Sequence, residues 1–367
     1  MIESIAHIAA TFSIGGKCVD IRLLGSGHIH DTYRAEYSGN SKIIRAIIQR
    51  INKNVFNNPP ALMENIVRVT EHIRGKLTEC GYEDVARRVM TMIPTRDGAA
   101  FYQSEDGDYW RAFQFIEETR SFDTPENADK VYEAAKAFGT FVRQMNDLPG
   151  PPLHETLPDF HNGFVRLEAF EKAVTHDVRN RASRALQEIR FLREHAGLFE
   201  LFSRERKTGR IPLRITHNDT KINNILFDTK TGEALCVIDL DTVMPGLIHY
   251  DFGDLVRTCI SPTAEDETDL SKVAIDMSRF EALTRGYLST TSDFLNETEH
   301  TRLVDGGKMM TLIIGTRFLT DYLNGDYYYK IQREEHNLER CRAQFKLFQL
   351  MTECEEDMCR IVDKCRR

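Results

Sequence analysis

Between Arg214 and Val243, inside a stretch otherwise patterned as helix, the chain carries a short β-rich island crowded with Asn and Asp. It reads Ile215-Thr216-His217-Asn218-Asp219-Thr220-Lys221-Ile222-Asn223-Asn224-Ile225-Leu226-Phe227-Asp228. It turns at Thr229-Lys230-Thr231-Gly232 and returns through Glu233–Val237 to Ile238-Asp239-Leu240-Asp241. Two apolar runs around a polar turn ending in Gly predict a hairpin. Pairing residues whose numbers sum to about 461 sets Asn224 opposite Val237 and Asp239 opposite Ile222. Paired strands lie about 4.8 Å apart, so the Asn224 amide and the Asp239 carboxylate converge at the hairpin's open end. That donor pair suits Mg²⁺, which takes one or two protein oxygens and completes its octahedron with phosphate and water. Asp241, two residues on and on the same strand face as Asp239, is a further candidate ligand.

Asp219 lies on the loop entering the hairpin, close to the expected metal but separate from its ligands. A carboxylate there can orient an acceptor hydroxyl and receive its proton. Lys221 can neutralise charge on a transferred phosphoryl group. The spacing His217-x-Asp219-x-Lys221-x-x-Asn224 resembles the catalytic loop of protein kinases. Asp251-Phe252-Gly253 spells the kinase metal motif, but it follows Pro245-Gly246 and not the strand paired to Ile225–Asp228. The metal is therefore assigned to Asp239, while Asp251 and Asp254 are expected to cap a helix start and brace the loop.

The remainder divides in two. Residues 1–115 alternate short β-type runs, among them Cys18–Leu24, Thr32–Tyr37, Ile43–Ile51 and Tyr109–Phe115, with one helix at Pro60–Cys80. Residues 116–367 are mainly helical, with stretches at Glu126–Asn146, Gly163–His195, Ser278–Leu288, Thr298–Leu323 and Glu335–Cys365. The expectation is an α+β chain of two lobes: a small antiparallel sheet and a helical lobe holding the embedded hairpin. The cleft between such lobes is a usual ligand site.

Composition narrows the function. The net charge is −8 and the lysines and arginines are scattered across 367 residues, which disfavours nucleic acid as a partner. No apolar run is long enough to cross a bilayer, and Met1–Thr11 lacks the pattern of a signal peptide. The eight cysteines form no Cys-x-x-Cys pair, and reduced thiols in a cytoplasm are expected.

On the nucleotide side, Gly25-Ser26-Gly27 forms a turn between two strands, where backbone amides can approach phosphates. No Walker-type loop is present. The strand Ile47-Ile48-Gln49-Arg50-Ile51 has no central lysine; Arg50 or Gln49 stands in for it, with Glu64 as a possible partner. Backbone groups near Phe115 and Ile116 are positioned to pair with adenine at the lobe connector.

These motifs together resemble the aminoglycoside-phosphotransferase-like small-molecule kinases, and within them the N-acetylhexosamine 1-kinases. The resemblance runs almost end to end, through residues 25–33, Gln49–Asn52, Phe115–Glu117, His217–Asn224, Val237–Gly246, Asp251–Asp254 and Arg317–Leu323. It implies a protein-kinase-like fold using ATP and Mg²⁺, and phosphorylation of the anomeric hydroxyl of an N-acetylhexosamine or related hexose. It implies Asp219 as base, Asn224 and Asp239 as metal ligands, and His28, Arg317 and Asp321 as sugar contacts. Choline, homoserine, methylthioribose or an aminoglycoside are alternative acceptors, and a nucleotide-binding pseudokinase is the alternative class. A monomer or homodimer is expected.

Overall fold

A computed structural model describes residues 4–24, 29–39 and 43–366. The Gly25-Ser26-Gly27 turn and His28 lie outside the described residues.

Helix α1 (Ile5–Thr11) precedes strands β1 (Lys17–Leu23), β2 (Asp31–Ser38) and β3 (Ile43–Ile51). Helices α2 (Pro59–Glu79) and α3 (Val85–Arg88) and strands β4 (Met92–Ile93), β5 (Tyr102–Gln103) and β6 (Tyr109–Gln114) complete the first lobe. Its sheet is antiparallel, ordered β1-β2-β3-β6-β4, with β5 also on β6. Alternation along the strands sets its two faces. Ala46 and Ile48 of β3 join Trp110 and Ala112 of β6 in an apolar cluster with α1, and the intervening residues face the other way.

Helix α2 begins where the Asn58 side chain accepts from the Ala61 amide (3.2 Å). Its apolar stripe, Leu62, Met63, Ile66, Val69 and Ile73, packs with Phe113, Phe141 and Leu240 and so joins the two lobes.

The second lobe holds β7 (Thr119–Arg120), α4 (Ala128–Met145), α5 (Gly163–His176), α6 (Leu186–His195), α7 (Gly197–Lys207), β8 (Arg214–Thr216), β9 (Ile225–Asp228), β10 (Ala234–Val237) and β11 (Met244–Gly246). Helices α8 (Ile248–Cys259), α9 (Met277–Thr291), α10 (Glu297–Thr301), α11 (Leu303–Asn324), α12 (His336–Glu353) and α13 (Glu355–Cys365) follow. Among the described residues no helix is long and apolar enough to cross a membrane.

The expected two-lobed α+β architecture is present. The long helical stretches are interrupted, however. Asp177 takes φ +37°, and its carboxylate accepts from the Arg181 and Ala182 amides (2.7 and 3.0 Å), which ends α5 and opens a turn before α6.

Two antiparallel strand pairs frame the polar island: β8 with β11, and β9 with β10, the latter extended by β7. The segments 217–224 and 238–243 each run from one pair to the other, so they lie side by side. The hairpin register differs by one residue from expectation. A bulge between Ala234 and Cys236 sets Val237 opposite Ile225.

Candidate active site

The loop 217–224 is built on buried polar contacts. His217 is fully buried and packs edge-on against Phe138 and Phe141 of α4, at 5.2 and 5.7 Å. Its Nδ1 accepts from the Asp219 amide (3.3 Å), so Nε2 carries the proton and donates to the Ile238 carbonyl (3.0 Å). Asn218 takes φ +65°, a conformation Asn tolerates because its short side chain hydrogen-bonds locally. Here its amide donates to the Thr242 carbonyl (2.8 Å).

Beneath the loop, Asp251 on the first turn of α8 accepts from the backbone amides of His217 (2.9 Å) and Asn218 (2.7 Å). The Thr220 hydroxyl donates to the Asp251 carbonyl (2.6 Å). Burial pushes the Asp251 carboxyl up to about 6, against the pull of His217 and the two amides. Asp251 thus braces the loop; no side chain caps α8, whose flanking residue is Leu247.

Held this way, Asp219 reaches the surface of the cleft with its carboxylate about a quarter exposed, at 27%. Lys221 Nζ lies 3.3 Å from Oδ1. Asn224 Nδ2 donates to the Asp219 carbonyl (2.8 Å) and to Oδ2 (3.0 Å). Burial raises the Asp219 pKa, but Lys221, His217, Arg257 and the Asn224 amide outweigh it, leaving the carboxyl below its ordinary value.

Because Asn224 spends its nitrogen on Asp219, its Oδ1 is the end left to face outward. Asp239 takes φ +60° just after β10 and opens its carboxylate to the cleft. Both residues line one cavity of about 420 Å³, together with Leu24, Thr32, Gln49, Arg111, Phe115 and Ile116. Desolvation by the surrounding protein, then Asp241 and Asp219, push the Asp239 carboxyl up to about 7. An excess of carboxylate beside a free amide oxygen is a donor set that fits Mg²⁺.

Asp241 does not join that set. The left-handed turn at Asp239 and the 3₁₀ turn Leu240–Thr242 break the strand alternation on which its expected direction rested. Its side chain is 2% exposed, and the carboxylate is paired with both terminal nitrogens of Arg111, NH2 to Oδ2 at 2.8 Å. His30 Nε2 donates to the same Oδ2 at 2.6 Å. Arg50 is also displaced from its expected place. It lies on the outer face of the sheet, bonded to Asp31 (2.8 Å) and Asp108 (3.2 Å), while Gln49 faces the cavity. Glu64 pairs with His154 (2.9 Å). At the connector, Phe115 and Ile116 line the cavity, but the Phe115 N–H donates to the Arg45 carbonyl (3.2 Å) and is not free for a base.

Arg317 of α11 lies over the rings of Phe160, Tyr328 and Tyr329, at 5.1, 5.4 and 5.7 Å, and donates to the Tyr328 hydroxyl (3.2 Å). Asp321 forms no pair with Arg317 and is not directed at an acceptor. It is buried and accepts from the amides of Tyr327, Tyr328 and Tyr329 (3.0, 2.9 and 2.9 Å) and from Asn337 (3.0 Å). It therefore shapes the loop that carries the tyrosines.

Two residues had weak sequence signals. His161 is buried, donates from Nε2 to the Asn218 carbonyl (2.8 Å), and leaves Nδ1 without a hydrogen-bond partner. Burial lowers its pKa to about 3, so it is a neutral imidazole. Arg111 of β6 follows Trp110, and a lone arginine inside an apolar strand is its signal in the sequence.

A sheet lobe, and a helical lobe that carries this loop and hairpin, define a protein-kinase-like fold. Solved structures share it across nearly the whole chain. An aminoglycoside phosphotransferase from Alicyclobacillus acidocaldarius is 11% identical, with TM-score 0.62 and coverage of 98% of this chain and 97% of that one. A microcompartment-associated aminopropanol kinase is 13% identical, with TM-score 0.58 and coverage of 96% and 97%. A spectinomycin phosphotransferase in complex with ADP and spectinomycin is 13% identical, with TM-score 0.53 and coverage of 95% and 94%.

The sequence model of the phosphotransferase enzyme family matches residues 20–283. The chain belongs to this family, that of the aminoglycoside phosphotransferase-like small-molecule kinases.

Proposed function

We propose that this chain transfers the γ-phosphoryl group of ATP, with Mg²⁺, to the anomeric hydroxyl of an N-acetylhexosamine or related hexose. The observation that supports the kinase reading is the hydrogen bond that holds Asn224 to the Asp219 carboxylate (3.0 Å) while Asn224 and Asp239 line the same 420 Å³ cavity. ATP would occupy the cavity, with the Phe115 carbonyl and the Ile116 N–H as the connector's groups for the base. Asn224 Oδ1 and the Asp239 carboxylate would hold the metal, which supplies charge neutralisation on the phosphates when bound.

Asp219 is ionised at neutral pH and accepts a hydrogen bond from the acceptor hydroxyl. As the acceptor oxygen bonds to the γ-phosphorus, the bond from phosphorus to the β–γ bridging oxygen breaks and ADP leaves. The hydroxyl proton passes to Asp219. Lys221 offsets charge on the moving phosphoryl group.

The acceptor side favours a neutral molecule. Arg317 already occupies the aromatic cluster, so a cationic acceptor such as choline or an aminoglycoside would meet like charge there. Of the acidic residues 265–267, Glu265 pairs with Arg257, and Asp266 with His336 (2.9 Å) and Arg333 (3.6 Å), so neither carboxylate is free for a polycation. Arg317 and Tyr328 offer donors and a ring face, the combination that holds sugar hydroxyls and C–H surface.

The test is an ATP-consumption screen across N-acetylhexosamines, hexoses, choline, homoserine, methylthioribose and aminoglycosides, with phosphorus NMR on each product. A glycosidic phosphate from a sugar supports the reading, and a primary phosphate ester or a cationic substrate overturns it. Nucleotide binding with no turnover on any acceptor would favour the pseudokinase.

A further inference from the structure

A phosphotransferase cleft needs a cation on its sheet side to meet nucleotide phosphate. Among the described residues, β3 does not provide one: Arg50 is turned outward onto Asp31 and Asp108, and Arg45 is paired with Glu36 (2.9 Å) and Glu117 (3.0 Å). Of the cations among the described residues that line the 420 Å³ cavity, Arg120 follows the connector and stacks on Phe122 (4.5 Å). Arg111 is the other.

The sheet register explains how Arg111 reaches that position. Thr32 of β2 pairs with Gln49 of β3, and Gln49 pairs with Arg111 of β6, so the three side chains form one row on the cleft face. Gln49 Nε2 donates to the Thr32 hydroxyl (3.0 Å), and Arg111 Nε donates to Gln49 Oε1 (3.0 Å). From the second lobe, Asp241 takes one N–H from each terminal nitrogen of Arg111. This leaves one N–H on each of those nitrogens for a further acceptor. His30 completes the set: its Nδ1 accepts from the Asn52 amide (3.0 Å), so its Nε2 proton is directed at Asp241.

We propose that Arg111, on β6 and not β3, supplies the positive charge that meets the nucleotide's phosphates, and that Gln49 and Asp241 are the positioning residues that aim it. The pair also spans the lobes, because its two members belong to different ones, so phosphate contact and lobe orientation are coupled through it. This inference rests on the proposed use of ATP. It goes further in naming where the phosphate charge is met.

The test is calorimetric titration of adenosine, ADP and ATP, with Mg²⁺ present throughout, into wild type, Arg111→Lys and the double variant Arg111→Gln/Asp241→Asn. The double variant removes both buried charges together, so neither is stranded. Wild type is expected to gain affinity with each added phosphate. The double variant should bind adenosine like wild type and bind ATP roughly 10- to 100-fold more weakly, the loss of a charge-assisted contact. Arg111→Lys, which keeps the charge, should recover part of that loss. Undiminished ATP binding by the double variant overturns the proposal, and so does an equal loss for adenosine and ATP, which would make the pair a structural strut. If the double variant does not fold, Arg111→Lys decides: a selective weakening of ATP relative to adenosine supports the proposal, and unchanged or equal binding overturns it. Wild type that binds none of the three refutes the ATP reading itself.

Discussion

The Asn224 side chain donates its amide to the Asp219 carboxylate across 3.0 Å, and to the Asp219 carbonyl across 2.8 Å. This orients both residues at once: the amide oxygen is turned away from Asp219, and the Asp219 oxygens stay within reach of Lys221. One contact thus separates the proposed metal ligand from the proposed proton acceptor, only five residues apart in sequence.

Asp219→Asn should lower kcat by at least about 10²-fold while ATP affinity stays nearly unchanged. The amide preserves shape but cannot take the acceptor proton. Rapid-quench turnover together with calorimetry checks both halves, and a near-native rate would remove Asp219 from its role.

Asp239 gives the cleft its pH dependence. Its folded pKa is raised to about 7, so below that pH a proton occupies the carboxylate and would compete with the proposed metal. Mg²⁺-dependent nucleotide affinity should therefore fall as pH drops through 7, approaching tenfold per unit at lower pH. Titration at pH 6, 7 and 8 in buffers of different ionisation enthalpy should also detect proton release on binding. Asp239→Asn should bind metal nucleotide weakly at all three.

Asp251→Asn tests the brace under the loop. Asp251 accepts two backbone amides on its two oxygens, and an amide side chain can accept on only one. Facing an NH₂ group toward the other N–H should cost about 1–3 kcal/mol in urea unfolding and lower kcat through a displaced Asp219. A variant equal to wild type in both would show that the loop holds its shape without Asp251.

The acceptor side separates into contact and support. Arg317→Gln should raise the acceptor KM about tenfold or more with the ATP KM unchanged and little change in stability. Asp321→Ala should raise the acceptor KM as well, but with a loss of stability, since three backbone amides and Asn337 lose their acceptor. If Asp321→Ala alters neither quantity, the tyrosine loop is held by other contacts.

Much of this was legible locally. The strand Ile43–Ile51 and the helix over 128–145 follow from alternation and from apolar residues at helical spacing, patterns that any burying surface would select. The loop motif was readable because its residue types are demanded at fixed offsets by one piece of backbone. The hairpin register differs by one because of the bulge between Ala234 and Cys236, where Leu235 packs with Ile116 and Cys236, a local irregularity to which alternation is blind. Asp241 was misdirected for a related reason: the rule of successive faces holds only while φ and ψ stay extended, and Asp239 leaves that region.

The amino-acid sequence alone determined the two-lobed plan, the hairpin and the Asp219 to Asn224 loop, because those depend on residues near one another along the chain. Only the tertiary structure decided that Arg111 meets Asp241 across 130 residues, that Asp321 serves a loop and not a ligand, and that Arg50 faces away from the cleft. Charged side chains have no period to read. Their partners are chosen by which faces the packed lobes bring together, and burial makes an unmatched charge too costly to leave.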